Sequence, residues 1–297
     1  MTPFSRRRFL TIAAACAAVP VGAAPATARW QGRALGARVS MQLAGLSEAD
    51  AAPIFAEVER ELSRLEAIFS LYRTDSEITR LNRDGVLTAP SPDLLQVLSL
   101  SDMLHHATGG VFDPTVQPLW LALANGQGVE AARAQVGWNR LRFDTAAVRF
   151  EAPGMAITLN GIAQGAVTDR IAALLRARGL RDVLIDMGEI AASGRRNDGA
   201  AWSVGIADPE GQVLRRMTLT DRALATSAPR GTVLDAETGQ GHILNPVGGA
   251  PARALVSVSA PDAALADGLS TALCLLPPLR GADVLAQFPQ VRLEVAA

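Results

Sequence analysis

Hydrophobic positions recur along the chain with two different periods, and the changes between them set out the elements. From Leu46 to Arg73 the apolar residues Ile54, Val58, Leu62, Leu65 and Phe69 fall on one face, which predicts a long surface helix with Ser47 as its N-cap and acids in its first turn. A second helix is predicted over Pro92 to His106, opened by Ser91 and stopped by Gly109 and Gly110. The intervening LYRTDSEITRLNRDG is polar enough to lie exposed, with Tyr72 as its aromatic. Short β-rich runs follow at Leu141 to Phe150 and Met155 to Leu159. The stretch ITLNGIAQGAVTDRIAALLRARGLRDVLIDMGEIAASG, Ile157 to Gly194, then reads as an apolar strand, a glycine-flanked turn, an amphipathic helix from Ala163 to Arg178 and a second apolar strand. Further strands are expected at Trp202 to Ala207, Met217 to Thr220 and Ala254 to Ser259, and Pro261 and Asp262 open a last helix that runs to Leu276.

With no internal repeat and no long low-complexity linker, this pattern predicts a single α/β (α+β) domain, mixed sheets flanked by helices, over residues 29–297. Residues 1–28 read as an export signal. Ser5, Arg6, Arg7, Phe9 and Leu10 match the twin-arginine form SRRxFL, a short apolar run spans Phe9 to Val21, and small residues surround Ala26 and Ala28. An ordinary secretory signal with an arginine-rich start is the alternative. Cys16 lacks a Leu-led lipobox, and Cys274 in LSTALCLL reads as a small core residue rather than half of a disulfide. Periplasmic location through the twin-arginine pathway is therefore the expectation.

Composition changes the picture in one respect. Formal net charge is −1 and every basic residue is arginine, so nothing points to nucleic acid or to a strongly acidic substrate. The uncharged turn Asn160, Gly161, Gln164, Gly165 aims backbone N–H groups and a helix N-terminus at its open side, where a phosphate is welcome. It is neither GxGxxG nor a P-loop, and a tight turn that uses its glycines only for geometry explains it equally well. Asp267 and Thr271 are four apart on the last helix and share a face. Their hard oxygens suit Mg²⁺ or Ca²⁺; the alternative is an exposed Asp beside a Thr bonded back to its own helix. As part of a surface helix, Asp267 is expected to be removable with little effect on the fold. His105 and His106 sit near a helix C-terminus, where the macrodipole favours them. His242 in TGQGHILNP has no such explanation.

The segments LYRTDSEITRLN from Leu71, GGVFDPTVQPLW from Gly109, TLNGIAQGAVTDRIAALL from Thr158, DMGEIAASG from Asp186, ATSAP from Ala225, GHILNP from Gly241 and APDAALADGLSTAL from Ala260 occur in an order that resembles the ApbE family, the Mg²⁺-dependent FAD:protein FMN transferases. The TLNGIAQG form with its twin-arginine signal is most similar to the NosX branch, which serves nitrous oxide respiration. The resemblance implies FAD contacts at Leu35, Tyr72, Val111, Phe112, Asp113, Thr158, Gln164 and Leu244. It implies metal ligands at Gly161, through its carbonyl, Asp267 and Thr271, and a base at His242 for a protein hydroxyl. The implied acceptor is an exported flavoprotein with an Asp-Gly-x-Thr-like motif, and the implied chemistry is attack on the FMN-side phosphorus of FAD with release of AMP.

Departures from the family pattern are Thr158 where Asp is common, Gln164 for Lys or Glu, Ala166 for Tyr and Asn245 for Asp. Each removes charge or a polar group from the pocket. A hydrolase that gives water the role of the acceptor, and a carrier that binds FAD without cleaving it, are the other readings the sequence admits.

Overall fold

The computed structural model describes residues 26–297. The stretch read as an export signal, Arg6, Arg7 and Cys16 included, lies outside them up to residue 25, whereas Thr27 and Ala28, at its expected end, already belong to the first strand. The described chain opens with a hairpin, β1 (Thr27–Ala34) and β2 (Ala37–Ala44), followed by α1 (Glu48–Phe69), α2 (Glu77–Asp84), β3 (Val86–Thr88) and α3 (Pro92–Ala107). Two short helices, α4 (Gln117–Asn125) and α5 (Val129–Gln135), lead to β4 (Leu141–Phe143) and β5 (Ala147–Phe150). Next come α6 (Ala163–Ala177), β6 (Val183–Asp186), β7 (Ile190–Ser193), β8 (Trp202–Ala207), β9 (Val213–Leu219) and β10 (Arg222–Ser227). The chain ends with β11 (Val233–Asp235), β12 (Gln240–Gly241), β13 (Val256–Ala260), α7 (Ala263–Leu275), α8 (Pro278–Leu285) and β14 (Arg292–Ala296).

The centre is a seven-stranded sheet in the order β1-β2-β6-β7-β10-β13-β14, antiparallel at every neighbouring pair. Side chains alternate across it. Val183 and Ile185 of β6, Ala191 of β7 and Ala223 and Ala225 of β10 face a large core built with α1, α3, α6 and α7. Leu184, Ile190, Ala192 and Leu224 point the other way, onto Trp202, Val204, Ile206 and Leu219 of the β8–β9 hairpin. Both faces are thus covered, which explains why VLI of β6, IAA of β7 and ALA of β10 are apolar without alternation. The mixed α/β architecture is the one expected.

Two local expectations are corrected. The polar segment after α1 is not merely exposed: Ser76 accepts the N–H of Thr79, Gly85 closes the helix at φ 73°, and Ile78 and Leu81 are buried between them. Met155 to Leu159 is extended but joins no ladder, because the side chain of Asn82 takes the place of a strand, donating to the Ile157 carbonyl and accepting its N–H, both at 2.8 Å. The long surface helix α1 keeps the predicted stripe, and the β1–β2 hairpin before it pairs over its full length.

Candidate active site

Every site residue expected from the sequence lines one cavity: Leu35, Tyr72, Val111, Phe112, Asp113, Thr158, Gly161, Gln164, His242, Leu244, Asp267 and Thr271. They come from separate parts of the chain, and the fold holds each by an identifiable device.

Leu35 occupies the tip of the β1–β2 hairpin at φ 47°, with Gly36 at φ 83°. A branched residue at positive φ is strained, and the turn is held by the Leu35 N–H donating to Glu66 of α1 at 2.8 Å. Tyr72 follows α1 in a loop whose N–H groups at Tyr72 and Arg73 donate to Ser70 Oγ, and its ring is 67% exposed at the cavity rim. Val111 to Asp113 form a loop fastened at both ends. Phe112 N–H donates to Thr108 Oγ1 at 3.0 Å, its carbonyl accepts from His105 Nδ1 at 2.9 Å, and Asp113 Oδ1 accepts both the N–H and the hydroxyl of Thr115. The carbonyl partner requires the Nδ1–H tautomer at His105, so this histidine holds a cavity loop in addition to standing near a helix C-terminus.

The turn from Thr158 to Gly165 is built against the last long helix. A side chain at Gly165 would meet the carbonyl of Ala263 at 2.4 Å, so only glycine lets α6 and α7 touch backbone to backbone. The Gly165 N–H donates to Asp267 Oδ2 at 3.1 Å. The positive end of α6 therefore faces a carboxylate of the protein itself. Gly161 stands against Thr271, whose Oγ1 lies 3.0 Å from where a Cβ on Gly161 would be. The Thr271 hydroxyl also meets Ser227 Oγ at 3.2 Å, and Ser227 meets Ser270 at 2.7 Å. The Gln164 amide packs over Gly188, its Nε2 2.5 Å from a Cβ built there.

Asp267 is 3% exposed, which overturns its expected place on a surface helix: α7 is buried on nearly all sides. Burial raises its carboxyl to about 7, against the lowering effect of the Gly165 N–H. Glu189, which was not anticipated as a site residue, lines the same cavity and is 6% exposed. Its side chain accepts only a long bond from Thr226 N–H at 3.3 Å. Burial, then the charges of Asp267 and Asp186, push it well above the usual carboxylate range. The signal was present in DMGEI, a second acid three residues after Asp186 at the junction of two apolar runs.

His242 sits half-buried in a loop that crosses the chain near Pro229. Gly241 permits the crossing, since a Cβ there would overlap the Pro229 carbonyl, and His242 N–H donates to that carbonyl at 2.9 Å. Its ring Nδ1 lies 3.3 Å from the backbone of Thr232. Burial lowers its pKa below 6.5, so the imidazole is neutral and able to accept a proton at neutral pH.

A model of the ApbE family matches residues 35–295. The chain belongs to the ApbE family. Among its ApbE relatives, the FAD:protein FMN transferase of Klebsiella pneumoniae (strain 342) is 25% identical over 295 residues, covering 91% of this chain and 84% of that protein. The FAD:protein FMN transferase of Haemophilus influenzae is 29% identical, over 74% and 71%. Among solved structures, the flavin transferase ApbE from Vibrio cholerae superposes with a TM-score of 0.78 at 25% identity, over 90% of this chain and 93% of that one. The ApbE protein of Thermotoga maritima, 23% identical, shares the fold with a TM-score of 0.76 over 91% and 96%.

Among the described residues no group of three or more His, Cys, Asp and Glu side chains forms a metal cluster. The expected ligand set does not need one, since it combines one carboxylate with a hydroxyl and a backbone carbonyl. The structure brings these together: Asp267 and Thr271 share a helix face and Gly161 abuts Thr271. Two buried carboxyls, Asp267 and Glu189, are both raised chiefly by burial, Glu189 further by Asp267, and no arginine lines the cavity beside them. A carboxyl, a hydroxyl and a backbone carbonyl brought together out of water are a set of hard oxygens that fits a divalent cation such as Mg²⁺.

Proposed function

We propose that this ApbE-family chain is an FAD:protein FMN transferase, moving FMN from FAD onto a Thr or Ser hydroxyl of a protein and releasing AMP. The observation that carries this reading is the convergence, in one cavity, of side chains drawn from Leu35 to Thr271. The relatives named FAD:protein FMN transferase support it, as they cover most of the same span.

Leu35, Tyr72, Val111 and Phe112 supply an apolar wall for the flavin, and Thr158, Asn160 and Gln164 offer neutral polar groups to the rest of the dinucleotide. Asp267, Thr271 and the Gly161 carbonyl would hold Mg²⁺, which neutralises charge on pyrophosphate oxygens. The acceptor hydroxyl attacks the FMN-side phosphorus in line with the bond to the AMP oxygen. A new P–O bond forms as that bond breaks, and the AMP phosphate leaves with the electron pair. His242, neutral at the cavity wall, takes the hydroxyl proton.

The finer parts of the proposal rest on sequence. The SRRRFL motif supports export through the twin-arginine pathway to the periplasm, and the TLNGIAQG form supports a place in the NosX branch, with maturation of a nitrous oxide respiration electron-transfer flavoprotein as its task. The acceptor then carries an Asp-Gly-x-Thr-like motif. The test incubates the mature protein with FAD and Mg²⁺, with and without such an acceptor domain. Covalent flavin on the acceptor with matching AMP is expected. AMP released at the same rate without acceptor identifies a hydrolase, and bound FAD with no AMP in either arm identifies a carrier; both refute the transferase.

A further inference from the structure

Trp120 stands apart from the other tryptophans. The indole N–H groups of Trp30 and Trp138 donate to Glu59 at 2.9 Å and Asp102 at 2.7 Å, and that of Trp202 to the Ser193 carbonyl at 2.9 Å, whereas among the described residues Trp120 makes no such bond. It lines the cavity from α4, half-buried, with its donor unused. A ring placed so, apolar in body and unsatisfied at one end, suits contact with another molecule. Leu121, the next residue, is 45% exposed, and β11, which packs on α4, presents Val233 beside Thr232 of the cavity wall. Val247 is 84% exposed three residues after Leu244 of that wall. Its loop is fastened: Val247 N–H donates to Asn245 Oδ1 at 3.2 Å, and Arg133 of α5, a helix packed on α4, donates to the Pro246 carbonyl at 3.0 Å. One exposed apolar residue is ordinary on any surface. Three, each within three residues of a cavity-lining position and none of them lining the cavity itself, make an apolar rim.

The proposed base belongs to the same structure. Val233 pairs with Gly241 across the β11–β12 hairpin, and His242 follows directly, so base and rim share one support. Arg230 is exposed just before this hairpin, next to Pro229, whose carbonyl accepts the His242 N–H; among the described residues it has no ion pair. The acids Asp235 and Glu237 lie at the hairpin's other end, in its turn. The charge nearest the base is therefore a positive one without a partner.

We propose that Trp120, Leu121, Val233 and Val247 form the docking face for the acceptor protein, and that Arg230 receives an acidic side chain of the segment it inserts. The inference rests on the reading of the chain as an FMN transferase with His242 as base. Two observations select a polypeptide as the occupant. The rim is continuous with the wall that carries His242, so a chain that delivers its hydroxyl to that imidazole lies across Val233. A lone arginine beside an apolar rim complements a segment that carries an acid and an apolar residue near its hydroxyl. The Trp120 indole N–H is then free to donate to a backbone carbonyl of the same segment.

The experiment uses the mature protein with FAD and Mg²⁺ and varies the concentration of an acceptor flavoprotein domain bearing the Asp-Gly-x-Thr-like motif. Covalent flavin on the acceptor gives KM and kcat, and FAD affinity is measured separately by flavin fluorescence. Leu121→Asp, Val233→Asp and Val247→Asp are each expected to raise the acceptor KM about tenfold, the size of a lost anchoring contact, with kcat and FAD affinity unchanged. Arg230→Glu is expected to do the same, and Arg230→Lys, which keeps the charge, to stay closer to the parent. Leu214→Asp, at a comparably exposed position on the β8–β9 hairpin across the sheet, is expected to leave the acceptor KM as it is. All these side chains are exposed, and circular dichroism checks that each variant is folded. An acceptor KM at the parent value in the folded rim variants overturns the inference while transfer by the parent keeps the functional reading. No transfer by the parent overturns that reading and the inference with it. A rise in KM matched by weaker FAD binding assigns the rim to FAD, and a dimeric parent beside a monomeric Leu121→Asp with the parent's acceptor KM assigns it to a second copy; both overturn the inference.

Discussion

Asp169 reaches from α6 to the start of α7, and its two oxygens accept the N–H groups of Ala263 at 2.7 Å and Ala264 at 2.9 Å. It does the work of an N-cap from another helix, as the side chain of Asp262, the residue in the cap position, makes no such bond. Burial nevertheless outweighs the two bonds and lifts the carboxyl from 3.8 to about 6. That difference corresponds to about 3 kcal/mol of stability. The native acid holds its proton up to about pH 6 and the unfolded one only up to 3.8, so stability falls as pH rises between those values and levels off above them. Asp169→Asn keeps one acceptor and cannot ionise. Its stability relative to the parent is expected to rise from near zero at about pH 4 to a gain of about 1–3 kcal/mol above pH 7. Asp169→Ala leaves both N–H groups without an acceptor and is expected to be about 1–3 kcal/mol less stable than Asp169→Asn at every pH. Urea denaturation in EDTA across this range measures all three proteins. Parallel pH profiles for parent and Asn variant, or an Asn variant less stable than the parent above pH 7, would refute the argument that desolvation wins over capping here.

His242→Ala is expected to retain FAD binding while single-turnover transfer falls by roughly 10²–10⁴, and the parent rate should stay level through neutral pH and decline only on the acid side of 6.5. Weaker FAD binding with normal turnover per bound FAD would make His242 structural. Asp267→Ala is expected to abolish transfer in saturating Mg²⁺ and, because Gly165 N–H loses its buried partner, to cost about 1–3 kcal/mol of stability as well; undiminished transfer removes Asp267 from the ligand set. Gly165→Ala forces a methyl to within 2.4 Å of the Ala263 carbonyl, and a loss of about 1–3 kcal/mol or more is expected by thermal denaturation. An unchanged Tm would show that α6 and α7 are free to part.

Much of the helical frame was legible because its period is unambiguous: α1, α3, α6 and α7 lie where the apolar spacing and the capping residues put them. The β1–β2 hairpin was hidden by its own turn, which uses Leu35 at positive φ before Gly36 in place of a more telling pair such as Asn-Gly. Met155 to Leu159 has the composition of a strand, but its partner is the side chain of Asn82, far away in sequence and invisible to periodicity. The buried state of Asp267 was readable in principle, since ADGLSTALCLL is apolar around most of the helix, yet a carboxylate at helical spacing suggests a solvated face. The pattern of residues gave Asp267 and Thr271 as a pair on one helix face, and Gly161 as a ligand came only from the family resemblance. Only the fold shows that Gly161 and Thr271 abut, and that Glu189, in the turn between β6 and β7, meets Thr226 of β10 at the same cavity.

The cavity has one wall at Leu35, in the first hairpin of the described chain, and another at Thr271 and Leu275, near its far end. No shorter run of the polypeptide contains both. During synthesis, a chain still lacking α7 has none of the helix that bears Asp267 and Thr271, so the cavity is closed only once the two ends of the described chain have met.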